Sequence, residues 1–340
     1  MSIVKLVRRL SAAVPTCVLA VVAAMPVVPA AAEAPAVSAF FVGQDGALYA
    51  YGRDTAAAAV GPAGLAPAGS PIAVATAGGS PSAAVIGVDG ALTVGSSSAD
   101  PDDGVCGNTP WWIWWPLPPP PPSWAIAVDS EVALAGLGDG QLGAFVTGTD
   151  GAVHAEWREA GGEWRTSAPT PAGLASPGGG MAVGPQAGTP PSPNPLSLSF
   201  VGVDGAVLLV HPTPGGGGDE PRPISPARMA LAGGLLAASG GIGIPSAVQF
   251  IGDDGAVTAI VTSASGAWQP PFAVSPPGFS AAGGSLGATG SASEVDDYCG
   301  NGQGQPGHFH VHVPGGGPGT WVAAGPANLA ARGTRVAAVQ

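Results

Sequence analysis

Gly43-Gln44-Asp45-Gly46-Ala47-Leu48 is the stretch that decides the architecture of this chain. A short apolar run precedes it and another follows. The phrase Gly-x-Asp-Gly-Ala-(Leu/Val) returns at residues 87–92, 148–153, 202–207 and 252–257. Asp-Gly supplies the positive φ that a tight turn between antiparallel strands needs, so each copy predicts a hairpin. The turn aspartates are Asp45, Asp89, Asp150, Asp204 and Asp254, spaced by 44 to 61 residues. One hairpin per period near 50 predicts an all-β fold, a β-propeller built from four-stranded blades.

The fifth repeat shows the strands best. Residues 235–239 read as the innermost strand, 247–251 as the second, 256–261 as the third and 268–274 as the outer one. Pro270 and Pro271 suit an outer edge, where a missing N–H does no harm. The inner strands are continuously apolar because a blade packs on a neighbour through both faces. The inner-strand phrase recurs at 71–75, 180–183 and 282–286. Residues 334–339 resemble an inner strand without its hairpin, and 37–42 begin a hairpin without its inner strand. A C-terminal strand completing the first blade would close the ring. In a degenerate sixth repeat, residues 294–298 and 308–313 flank an expanded turn at 299–307. The count is six blades, with seven as the alternative if residues 95–130 conceal part of another.

Residues 1–32 read as an export signal. Lys5, Arg8 and Arg9 precede an apolar run, and Ala30-Ala31-Ala32 offers a cleavage site. Residues 33–340 would then be one propeller domain, secreted or extracellular, with a bacterial-type leader and no transmembrane anchor after cleavage. After residue 32 the chain has seven arginines and no lysine, and the whole chain carries a formal charge of −12. Nucleic-acid binding is excluded because phosphate contacts need a basic face. Low charged content and an apolar composition argue against a disordered chain despite 56 Gly and 38 Pro.

Phe145-Val146-Thr147-Gly148-Thr149-Asp150-Gly151-Ala152-Val153, followed by Trp157 and then Gly162-Glu163-Trp164, resembles the repeats of tectonin-type and fucose-binding bacterial propeller lectins. The resemblance covers the mature chain in outline and this third repeat in detail. It implies a secreted or surface ring that binds sugars at blade junctions through aromatic and polar side chains. The position after the turn, aromatic in that family, is Tyr49, Thr93, His154, Leu208 and Thr258 in the five repeats. Any sugar sites are therefore expected to be few.

The third repeat gathers His154, Glu156, Trp157, Arg158, Glu163, Trp164 and Arg165. An aromatic plate with charged hydrogen-bonding groups is what a sugar's C–H face and hydroxyl fringe require. Glu156, Trp157, Trp164 and Arg165 are the first candidate ligand residues; the alternative is an outer strand with solvated charges. Trp111, Trp112, Trp114 and Trp115, followed by Pro118 to Pro122 and Trp124, form a second candidate in what reads as a loop. Exposed, these indoles could grip a polysaccharide, a peptide or a membrane interface; folded back, they would cover the ring.

Cys106 and Cys299 occupy similar phrases, and in an exported chain they predict a disulfide contributing about 3–5 kcal/mol. Asp102-Asp103 and Asp296-Asp297 read as solvated turn carboxylates rather than a Ca²⁺ loop. His308, His310 and His312 alternate along a strand and share a face, read as structural because the third is too distant to join one metal and no ligand follows at a recognised spacing. No metal or cofactor is implied. No nucleophile elbow, zinc-protease helix motif or phosphate loop occurs. The reading is a non-catalytic lectin-like propeller whose partner is a carbohydrate. The alternatives are a protein-interaction scaffold and a hydrolase with its site at the ring mouth.

Overall fold

The computed structural model describes residues 37–52, 58–77, 80–98, 111–117, 125–127, 130–137, 141–158, 162–185, 196–213, 216–230, 234–241, 244–263, 266–279, 286–290, 294–300, 306–312, 320–323 and 337–338. Within them lie six four-stranded antiparallel sheets and no helix. Blade one contains β1 (Val37–Val42), β2 (Leu48–Gly52) and β3 (Ala58–Ala59). Blade two is β4 (Ile72–Ala77), β5 (Ser80–Ile86), β6 (Leu92–Ser98) and β7 (Trp111–Pro116). Blade three is β8 (Val132–Gly136), β9 (Leu142–Thr147), β10 (Val153–Arg158) and β11 (Trp164–Ser167). Blade four is β12 (Met181–Pro185), β13 (Leu196–Val201), β14 (Val207–Val210) and β15 (Arg222–Pro223). Blade five is β16 (Leu236–Gly241), β17 (Ile244–Ile251), β18 (Val257–Val261) and β19 (Phe272–Ala273). Blade six is β20 (Leu286–Gly290), β21 (Glu294–Gly300), β22 (Pro306–His312) and β23 (Thr320–Ala323). The last strand, β24 (Ala337–Ala338), pairs with β1 through Ala39↔Ala338 and Phe40↔Ala337. It supplies the inner strand that the first blade lacks. The inner strands neighbour one another in the cyclic order β24, β4, β8, β12, β16, β20.

All five Asp-Gly turns share one geometry. The Gly46 N–H donates to Gly43 O at 3.0 Å, closing a four-residue turn, and Gly46 has a φ of 74°. Gly90, Gly151, Gly205 and Gly255 repeat that φ. Each turn aspartate accepts the N–H two residues on, from Ala47 to Asp45 at 3.1 Å through Ala256 to Asp254 at 2.9 Å. Asp is thus chosen because its side chain bonds its own backbone, and Gly because an L side chain resists the left-handed region.

A second device accompanies the turn. The segment before the next blade folds over it, with Gly64 N–H donating to Asp45 O, Gly173 to Asp150, Arg228 to Asp204 and Gly278 to Asp254. In three blades a hydroxyl just before a proline caps the strand after the turn: Thr170 accepts the Val153 N–H, Ser225 that of Val207 and Ser275 that of Val257, at 2.7–2.8 Å.

Cores lie between blades. Leu142, Ala144 and Val146 of β9 pack with Val94, Leu92 and Ala84 of blade two, whereas Phe145 packs with Leu198 and Phe200 of blade four. Alternate residues of one strand therefore serve different neighbours, which is why the strands are apolar throughout.

Three expectations change. Residues 111–115 form the outer strand of blade two, not a loop, because β6 pairs along them from Thr93↔Pro116 to Ser98↔Trp111. The expected inner strand of blade six meets the described residues at Leu286 in β20, and residues 282–285 lie outside the described residues. Cys299 and Gly307 pair with each other, so the expanded turn begins beyond them. Asp296 and Asp297 lie on β21 rather than in a turn, held by pairing on both sides. Residues 95–130 contribute β6 and β7, and no seventh sheet occurs among the described residues. The export signal (1–32), Cys106, Asp102, Asp103, Pro118 to Pro122 and Trp124 lie outside the described residues, and with Cys106 the proposed disulfide to Cys299.

Candidate functional site

β10 divides the third-repeat cluster. Val153, Ala155 and Trp157 belong to the core shared with blade four. His154, Glu156 and Arg158 alternate with them and so lie on the face toward blade two. Register carries the division to β11, where Thr166 lies across from Glu156 and Trp164 across from Arg158, while Arg165 lies across from Trp157.

Trp157 is a packing residue. It is 4% exposed, meets Phe145 edge-on with centroids 5.3 Å apart, and donates from Nε1 to Ser167 Oγ at 3.0 Å. Its ring fills the space over Gly143, where a Cβ would come within 2.6 Å of it. Arg165 is on the same face and exposed.

Glu156 is also 4% exposed, and its surroundings differ. Oε1 accepts the Thr166 hydroxyl at 2.7 Å, while Oε2 is buried without a hydrogen-bond partner. Burial pushes its pKa up, and the Thr166 bond only partly opposes this. An unsatisfied buried carboxylate oxygen is costly and calls for a donor. Trp164 is half-buried and packs against the core between blades two and three. Blade two offers that junction the paired hydroxyls of Ser82 and Ser96, 2.9 Å apart and in register with each other. They share a face with Ala84 and Val94, which join the same core.

Below Glu156, His154 Nε2 donates to both carboxylate oxygens of Asp150 at 3.1 Å. Burial lowers the His154 pKa, with Asp150 opposing. Burial also works to raise Asp150, but the Ala152 N–H and His154 outweigh it and hold the carboxyl below its ordinary value. In blade one the equivalent pair is Tyr49 and Asp45, whose hydroxyl-to-carboxylate bond is 2.9 Å. The residue after the turn is here a partner for the turn aspartate.

The tryptophan strand is divided in the same way. Trp112 and Trp114 are half-buried against the core of blades one and two, stacked on each other at 5.7 Å, with Trp112 edge-on to Phe40. Trp114 Nε1 donates to Val60 O at 3.1 Å. Trp111 and Trp115 take the alternate register positions, across from Ser98 and Val94. His211 is held by Asp219, with Nδ1 at 2.6 Å from Oδ2. Among residues with described side chains, no group of three or more His, Cys, Asp or Glu is placed to hold a metal ion.

Solved structures with a similar fold include a lectin from Burkholderia pseudomallei, with a TM-score of 0.67, 23% identity, and coverage of 88% of this chain and 84% of that one. The chain is a six-bladed β-propeller. The propeller is also similar to AofleA from Arthrobotrys oligospora, with a TM-score of 0.61, 15% identity and 86% of each chain covered. A third is the Aleuria aurantia lectin, described as a six-bladed β-propeller with its own fucose recognition mode, with a TM-score of 0.55, 14% identity, and 82% and 86% covered. No family model and no curated protein matches the sequence.

Proposed function

We propose that this propeller is an exported, non-catalytic carbohydrate-binding protein, with its site at the junction of blades two and three. The observation that carries the reading is the buried, partnerless Oε2 of Glu156, on the same face as Arg158 and the half-buried Trp164. A sugar hydroxyl would donate to Oε2, and the indole would meet an apolar C–H face. Trp157 and Trp112 support this role only through packing, and Arg165 lies on the opposite face of blade three. Likeness to lectins supports the ligand class. Because one such lectin was solved with α-methyl fucoside, that sugar is the first to test.

Calorimetry with α-methyl fucoside, alongside a glycan array, tests the reading. Glu156→Gln and Trp164→Ala should each weaken binding by about tenfold or more, roughly 1.4 kcal/mol, with circular dichroism showing that the fold is kept. Silence of the wild type on the array overturns the carbohydrate reading. Binding untouched by either substitution moves the site elsewhere.

A further inference from the structure

The junction of blades two and three holds a negative charge that no cation of the repeat bonds at Oε2. Glu156 is buried, and its Oε1 accepts the Thr166 hydroxyl at 2.7 Å, while Oε2 has no hydrogen-bond partner. A neutral hydroxyl can satisfy Oε2, but it leaves the carboxylate charge uncompensated away from water. Arg158 shares the face of Glu156 by the pleat yet makes no hydrogen bond to Oε2, and Arg165 lies across from Trp157 on the other face. His154, also on that face, bonds Asp150, and burial pushes it toward its neutral form. Trp164 is half-buried against the core of the same junction. An indole face attracts a cation as well as the C–H face of a sugar. The formal charge of −12 on the whole chain adds long-range attraction for a positive ligand.

We propose that the junction of blades two and three selects an amino sugar, with its ammonium group on Glu156 Oε2 and its ring against Trp164. This selectivity rests on the carbohydrate reading of the junction and narrows it to a cationic saccharide. An ammonium brings three donors and a full charge in one compact group. The Ser82 and Ser96 hydroxyls, bonded to each other, keep acceptor capacity for the hydroxyls of the ring. Acetylation of the sugar nitrogen removes the charge and leaves one donor. The site should therefore tell a free amine from its acetamide on the same ring.

The test is calorimetry on the full chain at pH 6.5, where the sugar amine is protonated. The probes are glucosamine, N-acetylglucosamine, α-methyl fucoside and Nα-acetyllysine methylamide. Glucosamine should bind about tenfold or more tighter than either neutral sugar. Glu156→Gln should erase that preference, with circular dichroism checking the fold. Should this variant fail to fold, the wild-type comparison of amine with acetamide still decides. Neutral sugars that bind as tightly as glucosamine, or a preference that survives in Glu156→Gln, would overturn the cationic selectivity and leave the carbohydrate reading standing. A lysine derivative that binds as tightly as glucosamine would show a site for amines of any kind and overturn the saccharide. Binding by none of the probes would overturn both.

Discussion

The backbone N–H of Arg228 donates to the carbonyl oxygen of Asp204 at 2.9 Å, and it does so from a φ of 63°. Gly64, Gly173 and Gly278 make the same bond in other blades at φ values of 72–76°. Arg228 is the one non-glycine residue among those described in the left-handed region. Arg228→Gly should therefore stabilise the propeller. Relief of about 1–2 kcal/mol of backbone strain is partly offset by the greater freedom of Gly in the unfolded chain. A rise in the denaturant midpoint at unchanged slope checks it, and a fall would show that the side chain contributes more than its strain costs.

Two turn glycines with the same φ differ in what surrounds them. A Cβ on Gly90 meets nothing within 4 Å, whereas one on Gly46 comes 2.5 Å from the Ala66 carbonyl oxygen. Gly90→Ala should cost about 1–2 kcal/mol from conformation alone. Gly46→Ala should add about 1–3 kcal/mol of overpacking. Equal midpoint shifts would mean that the covering segment yields freely.

Neighbours on β10, Trp157 and Glu156 should respond in different ways. Trp157→Ala removes a buried ring that bridges blades three and four, at about 3–5 kcal/mol, seen as lost thermal stability. A fully stable Trp157→Ala protein would place the ring outside the core.

Glu156 has a characteristic pH signature. Its folded pKa is raised above the ordinary 4.5, chiefly by burial, so the folded state binds the proton more tightly than the unfolded chain. Its contribution to stability therefore falls as pH rises from 4.5 through the raised value. Glu156→Gln keeps a partner for Thr166 and removes the buried charge. It should match or exceed the wild type at pH 7, and this relative advantage should shrink as pH is lowered to 4.5 and below. Parallel stability curves for the two proteins would contradict the shift.

Much of the fold was legible because its signals are local. Asp45-Gly46 and its four copies determine turn geometry within a few bonds, and the spacing of those turns gave the propeller repeat, with six or seven blades left open. The completion of blade one by residues near 337 was legible from complementarity between the two ends. A repeated signal went unused: Thr170-Pro171, Ser225-Pro226 and Ser275-Pro276 each put a hydroxyl on the strand after a turn. The tryptophan segment misled because its proline-rich flank reads as loop, while pairing with the serine-rich β6 makes it a strand.

The candidate site was less legible. The cluster from His154 to Arg165 was visible, but proximity along a strand is not proximity in space. A pleat sends Glu156 and Trp157 to different neighbours, and the hairpin register sends Arg165 with the tryptophan and Trp164 with the glutamate.

From residues alone came the turns and the repeat, since each depends on interactions between positions close in the chain; six blades rather than seven was decided by the sheets of the folded molecule. Only the assembled molecule decided which side chains meet across a blade junction and which carboxylate oxygen stays without a donor. Those relations depend on strand register and on packing between residues some fifty positions apart, and no short-range preference specifies them.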